Sequence, residues 1–342
     1  MDLDVFLKLL QDWTNRVPLI ILGSGASVPF GVPSMWTLGD HLKKSISFTD
    51  KDDQTQFEEF KSTFDKVKDL EATLLQLHLR PNVLGSIISE TWKLVNKYDL
   101  TAYDQILNRA IEFPFAELTS HLLSSAQRKL SIITTNYDRL AEYAASLSNA
   151  FVCTGYAQNY IGHFSKHIHN QDLTKLKGFS GQVNVWKVHG SLDWFKTKEY
   201  NDIHLPFRQT IPAGFKPSIV TPGLSKYLET QLEPFRTILT EADNEIENAT
   251  SFLCIGYGFN DIHVQPKLIT QIKNGKPIIV ITKELTPKTK QSIIDNKSKQ
   301  YILIEEVNKK DTRIYSSSFS GEQIIPDVSY WTLGEYLKLI KS

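Results

Sequence analysis

Short unbroken apolar runs alternate with amphipathic stretches along most of this chain. Leu19, Ile20, Ile21 and Leu22 form one such run, the pattern of a central parallel strand buried on both faces. Residues 130–134 (LSIIT), 183–188 (VNVWKV), 252–255 (FLCI), 277–282 (PIIVIT) and 301–306 (YILIEE) repeat it. Helical patterns lie between them. Val5, Phe6, Leu9, Leu10 and Trp13 share one face of a helix over residues 4–13, and Ser34 can cap a helix that runs to about residue 44. Further helices are predicted over 139–147, 226–247 and 286–296, with an amphipathic one from Thr332. Strands alternating with helices predict an α/β fold, a doubly wound parallel sheet, with residues 1–342 as a single domain.

Two regions break the alternation. Residues 50–128 are helical and charged with almost no strand-like run, which predicts a helical insert whose Phe and Leu stripes form its own core. Residues 155–182 have little pattern and are expected to be an irregular loop region. Residues 196–221, rich in Pro and Gly, read as a long ordered loop with a short strand near 217–221.

Composition narrows the class. Lys plus Arg and Asp plus Glu both number 38, so no global field draws in nucleic acid or an anionic membrane. Cys153 and Cys254 stand far apart and outside any C-x-x-C pair, against a disulfide scaffold or a cysteine zinc site. His163, His167 and His169 have a spacing that suits a metal, but with no cysteine or carboxylate beside them they read as solvated loop histidines. An acidic amphipathic beginning and the lack of a bilayer-length apolar stretch make a cytoplasmic protein the expectation.

The chemistry-bearing residues gather just past the strands. Gly23-Ser24-Gly25 follows the first run as a tight turn expected to lead into a helix, an arrangement that offers backbone N–H groups and a helix dipole to an anion such as a pyrophosphate. The turn alone is also what joins a buried strand to a helix. Pro29 and Pro33 postpone a regular helix to about Ser34, so residues 28–34 form an ordered loop over it. Thr135, Asn136 and Asp138 follow the second run, His189 and Gly190 the third, and residues 256–261 (GYGFND) the fourth. In a doubly wound sheet such ends converge on one crevice.

The ordered set GSGAS at 23–27, GVPS at 31–34, TTNYD at 134–138, HG at 189–190 and GYGFND at 256–261 resembles the motifs of sirtuin-like NAD-binding domains, over about residues 15–285. The resemblance is closer to the bacterial sirtuin-like NAD hydrolases of anti-phage defence than to protein deacylases. The deacylases carry a four-cysteine zinc module, a Gln where Thr135 stands, and Asp-Phe-Arg where this chain has Ser34-Met35-Trp36. The resemblance implies a Rossmann-like sheet of sirtuin type without a zinc module, its place taken by residues 155–182. It also implies NAD as substrate, no metal, and cleavage of the nicotinamide–ribose bond to ADP-ribose and nicotinamide.

That activity suits the residues. Asn136 can hold a ribose hydroxyl and a water, His189 can serve as general base, and Asp138 can orient either. The alternatives are an Asn capping the helix that begins near Tyr137 and a His bonded to backbone beside Gly190. Gly23, Ser24, Gly25, Ala26, Ser27, Pro33 and Thr135 are expected around the pyrophosphate side, and Gly256, Gly258, Asn260 and Asp261 around the adenosine, although Asp261 equally fits a helix cap. Trp194 and Phe195 offer a stacking wall or packing. The relatives imply a regulated homo-oligomer controlled by a separate partner, a HerA-like hexameric ATPase or a short Argonaute. Rival functions are acyl or ADP-ribose transfer at the same site, and a non-catalytic NAD or ADP-ribose sensor.

Overall fold

Strands buried on both faces must be covered twice, and this chain covers them with helices from both sides. The computed structural model describes residues 3–157, 160–169, 171–172, 177–197, 199, 202–221 and 232–341. One sheet is built from Leu19–Leu22 (β1), Lys129–Thr134 (β2), Phe151–Cys153 (β3), Gln182–Lys187 (β5), Phe252–Ile255 (β9), Ile278–Ile281 (β10), Tyr301–Val307 (β11), Asp311–Ser316 (β12) and Glu322–Ile325 (β13). A smaller sheet is built from Gly162–His163 (β4), Gly190–Lys196 (β6), Ile203–His204 (β7) and Lys216–Ile219 (β8), in the order β4-β7-β6-β8.

The large sheet has the order β13-β12-β11-β10-β9-β1-β2-β5-β3, parallel from β11 to β3. β1 lies between β2 and β9, so the chain leaves it on one side and returns on the other. This is the topological switch point of a doubly wound sheet, where the crevice for a ligand opens. Register sharpens the placement: Leu22 stands opposite both Thr134 and Ile255, and Thr134 opposite Lys187. The turn after β1, the loop after β2, His189 after β5 and the turn after β9 therefore leave the sheet at one level.

Side chains of β1 alternate between two cores, Ile20 and Leu22 on one face and Leu19 and Ile21 on the other. The first face is covered by Leu3–Asn15 (α1) together with helices near residues 114–147 and 333–341. The second is covered by helices near 235–248 and 265–273. Between β1 and β2 run Met35–Ser45 (α2), Lys51–Val67 (α3), Leu70–Leu75 (α4), Pro81–Leu107 (α5) and Pro114–Leu123 (α6). Thr37 N–H donates to Ser34 Oγ at 3.2 Å, so Ser34 caps α2. Phe57, Phe60 and Phe64 stack along α3 in a separate core with Leu38, Leu42 and Ile87.

The helices that follow are Leu140–Leu147 (α7), Phe235–Asn248 (α8), Gln265–Lys273 (α9), Pro287–Lys290 (α10), which continues as a π turn over Gln291–Asp295, and Leu333–Lys341 (α11). α11 packs on α1: the Thr14 and Tyr336 hydroxyls lie 2.6 Å apart, and Gln11 donates to the Leu339 carbonyl at 3.2 Å.

Several elements differ from expectation. The turn after β1 enters two unexpected 3-10 turns, Ser24–Ala26 and Val28–Phe30, whereas regular helix starts at Met35, as expected from Pro29 and Pro33, which withhold backbone donors. Of the helix expected over 226–247, the described residues hold Phe235–Asn248, and residues 222–231 lie outside the described residues. In the region 196–221 the short strand expected near 217–221 is present as β8, while β7, which was not expected, is too short to show in a hydrophobic pattern and forms by pairing with buried β6. The hairpin β12–β13 was not expected either. Its inward positions include Thr312 and Ser316, so the apolar signal is diluted.

Candidate functional site

The glycines at the switch point are required by contact between two turns. A Cβ on Gly256 would stand 2.1 Å from Ala26 N, and one on Gly23 would stand 2.5 Å from the Gly256 carbonyl oxygen. Gly256 is also left-handed at φ +57°. The turns after β1 and β9 thus touch backbone to backbone, held by Gly25 N–H donating to Gly256 O at 3.1 Å. Gly256→Ala is expected to destabilise the fold by about 2–4 kcal/mol through the αL penalty and overpacking. A thermal melt measures it; an unchanged midpoint would show that the seam yields.

The donors of the first turn are mostly committed to this structure. Gly23 N–H donates to Ile255 O, Ala26 N–H to Gly23 O and Ser27 N–H to Ser24 O. The expected row of free amides facing an anion is therefore corrected: internal bonds satisfy these groups, and a three-residue 3-10 turn stands where the full helix dipole was expected. Ser24 and Gly25 are exposed at the lip, Ala26 and Ser27 are buried, and Pro33 is half-buried just before the Ser34 cap. Thr135 N–H donates to Leu22 O at 3.2 Å, which ties the loop after β2 to the end of β1.

Asn136 is brought against the glycine turn. Its Nδ2 donates to Gly23 O and to Ser27 Oγ, both at 2.9 Å. A carbonyl oxygen can only accept, so this contact fixes the amide's orientation and leaves Oδ1 as the acceptor to offer a ligand. Asn136 does not cap α7. Asp138 does so, accepting from Leu140 N–H at 3.3 Å with Oδ1, while Ser27 Oγ donates to its Oδ2 at 2.7 Å. Asp138 thus acts on Asn136 through Ser27, as a buried support. Burial pushes its carboxyl above the ordinary range, and Lys187 pulls it back. The Lys187 ammonium, itself buried, bonds the Asp138 carbonyl and pairs with Glu142 at 3.1 Å.

His189 is 8% exposed at the end of β5, its carbonyl accepting from Val220 N–H at 2.9 Å. Its ring faces Asp261, with Nε2 2.9 Å from Oδ2, although the N–H axis is not aligned as in a finished hydrogen bond. Asp261 also caps its own turn, its Oδ1 accepting from His263 and Val264 N–H at 2.9 Å each. Both expectations for this residue change: the following helix starts at Gln265, and one carboxylate oxygen points to His189. Gly258 accepts from the Thr286 hydroxyl at 2.7 Å, and Asn260 is exposed.

Trp194 and Phe195 are fully buried packing residues. His169 stacks on Trp186, and burial lowers it to about 4, so it stays neutral. Among the described residues no group of three or more His, Cys, Asp or Glu could hold a metal.

A buried cluster under the loop after β2 escaped the sequence reading. Asp99 of α5 accepts from Arg139 N–H at 2.7 Å, Arg139 Nε at 2.9 Å and Tyr143 OH at 2.6 Å; Arg139 also donates to Asn96 and lies over the Phe207 ring at 4.4 Å. Trp92 of α5 donates to the Leu192 carbonyl at 2.7 Å. α5 therefore grips the segments that follow both Asn136 and His189. The signal was present: Asp99 interrupts the apolar stripe Trp92, Val95, Ala102, Ile106, and a charge on a buried stripe needs a buried partner.

The model of the SIR2-like domain family matches residues 130–302, just over half of the chain. No curated protein matches it. Similar solved structures include a Sir2 homologue in complex with NAD, 16% identical over 86% of this chain and 87% of that one with a TM-score of 0.43. A structure from work on sirtuin substrate affinity is 14% identical over 84% and 90%, with a TM-score of 0.44. The family match covers the loop with Asn136, the strand end with His189 and the turn with Gly256, and the chain belongs to the SIR2-like domain family.

Proposed function

We propose that this protein hydrolyses NAD at the nicotinamide–ribose bond, giving ADP-ribose and nicotinamide. The observation that carries the reading is the convergence of Asn136, its amide locked on Gly23 and Ser27, with the Asp261-facing His189 at the switch point of the sheet. The fit to NAD rests on donors and acceptors at this level: exposed Ser24 and Gly25 at the lip, the Asn136 Oδ1 acceptor and the imidazole of His189. NAD brings a neutral leaving group, nicotinamide, and a ribose that gains positive charge as the bond breaks.

Asn136 Oδ1 accepts from the attacking water or a ribose hydroxyl and sets its orientation, while His189 takes the proton. Locking the amide in advance removes the need to order it during reaction. Such an activity left uncontrolled would drain the NAD of its host. The proposal therefore includes an anti-phage effector role, a homo-oligomer, and control by a separate partner such as a HerA-like hexameric ATPase or, as an alternative, a short Argonaute.

The test is to incubate purified protein with NAD and separate the products. Nicotinamide and ADP-ribose in equal amounts are expected. Nicotinamide released only with acyl-lysine peptide, and with acylated ADP-ribose as product, would make it a deacylase. NAD binding by calorimetry without any turnover, with the partner present, would make it a sensor.

A further inference from the structure

We infer that Asp261 is the residue that positions His189, fixing which ring nitrogen serves as the base; this rests on the reading of His189 given above. Asp138, the carboxylate nearest in sequence to Asn136, is engaged on both oxygens, by Ser27 and by Leu140 N–H. Asp261 is divided differently. Oδ1 is clamped by the amides of His263 and Val264, which orients the carboxylate plane, and Oδ2 stands 2.9 Å from His189 Nε2. Both side chains are shielded from water, Asp261 at 5% and His189 at 8% exposure, so the contact is little screened.

A neutral imidazole carries one N–H and one lone pair. With Nε2–H turned to a fixed carboxylate, the lone pair belongs to Nδ1, and Nδ1 accepts the proton from water or a ribose hydroxyl. The resulting imidazolium keeps Nε2–H against the Asp261 carboxylate. Nε2 has no aligned hydrogen bond to any group, and a small rotation of the ring supplies one from this carboxylate. Contacts of this kind tighten in the reacting complex. The arrangement also joins two motifs far apart in the chain, since the turn after β9 holds Gly256 against the Gly23 turn and Asp261 against His189 within six residues.

Asp261→Asn separates this role from structure. Asn keeps an oxygen to accept from His263 and Val264 N–H, so the turn cap survives, and places an NH2 donor against Nε2. The imidazole then moves its proton to Nδ1 and loses the base. Two measurements on the full chain decide it. Nitrogen NMR of histidine-labelled protein, with the His189 signal identified by its loss in His189→Gln, is expected to show the Nε2–H form in the parent protein and the Nδ1–H form in Asp261→Asn. NAD kinetics are expected to show kcat lowered on the order of 100-fold with KM changed less than about threefold.

An Nδ1–H signal in the parent protein, or the same form in both proteins, overturns the proposal, as does an unchanged kcat in a parent that cleaves NAD. If the parent does not cleave NAD at all, the functional reading fails. The NMR comparison then still decides whether Asp261 fixes the tautomer.

Discussion

His189→Ala is expected to lower NAD cleavage by about two to four orders of magnitude while leaving the fold intact. The loss is that of a general base, typically 10²–10⁴-fold. The fold tolerates it because His189 is tied into the frame through its carbonyl, which any residue supplies, while its side chain meets Asp261. Asn136→Ala is expected to fall comparably but with a cost in stability, since it strands the Gly23 carbonyl and the Ser27 hydroxyl, both of which accept from its amide. Nicotinamide release in the two variants, read beside their melting curves, separates the roles. A rate equal to the parent's in His189→Ala would remove His189 from the mechanism.

Asp99→Ala is expected to be among the most destabilising single changes in the molecule, about 3–5 kcal/mol, or on the order of 10 °C in melting temperature. Burial works against the charge of Arg139, but Asp99, with Asp193 behind it, raises the guanidinium above its ordinary range; the substitution removes the carboxylate that pairs with it directly. It also strands the Tyr143 hydroxyl. The effect is predicted to be strongly non-additive: combining Asp99→Leu with Arg139→Met removes both charges from the interior and recovers much of the loss. Because Arg139 follows Asp138 in the chain, Asp99→Ala should weaken NAD cleavage as well, although α5 lies outside the turns that form the site. Full activity in a melted-down variant would show that the insert does not hold the loop.

How much of this was legible in the sequence depends on the kind of interaction. The strands of the parallel sheet announce themselves because burial on both faces demands unbroken apolar runs, as at residues 19–22 and 278–281. β7 and β12 do not, since they exist by pairing with neighbours already in place and carry polar residues inward. Site residues were found by type and by position after a strand, which is enough to name Asn136, His189 and Asp261. Their partners were not. Whether Asp138 or Asp261 faces His189 depends on which strands are adjacent and on the direction of each turn, and neither is written in local pattern. The glycines show the same limit: Gly23 and Gly25 read as places for a phosphate and Gly256 as part of an adenosine contact, whereas their first requirement is to let two turns touch.

The pairing of α1 with α11 constrains how the molecule comes into being. Thr14 and Gln11 find their partners in Tyr336 and Leu339, which are synthesised more than three hundred residues later. Until those residues emerge, Leu10, Trp13 and the face of β1 that holds Ile20 and Leu22 lack part of their cover. Closing so long a loop is slow, and a nascent chain waits with apolar surface exposed. The glycine turn after β1 is made well before Tyr336 and Leu339 and is set in its final surroundings only once they have emerged. A half-made chain should therefore carry the glycine turn without the activity, and depend on chaperones that shield this face.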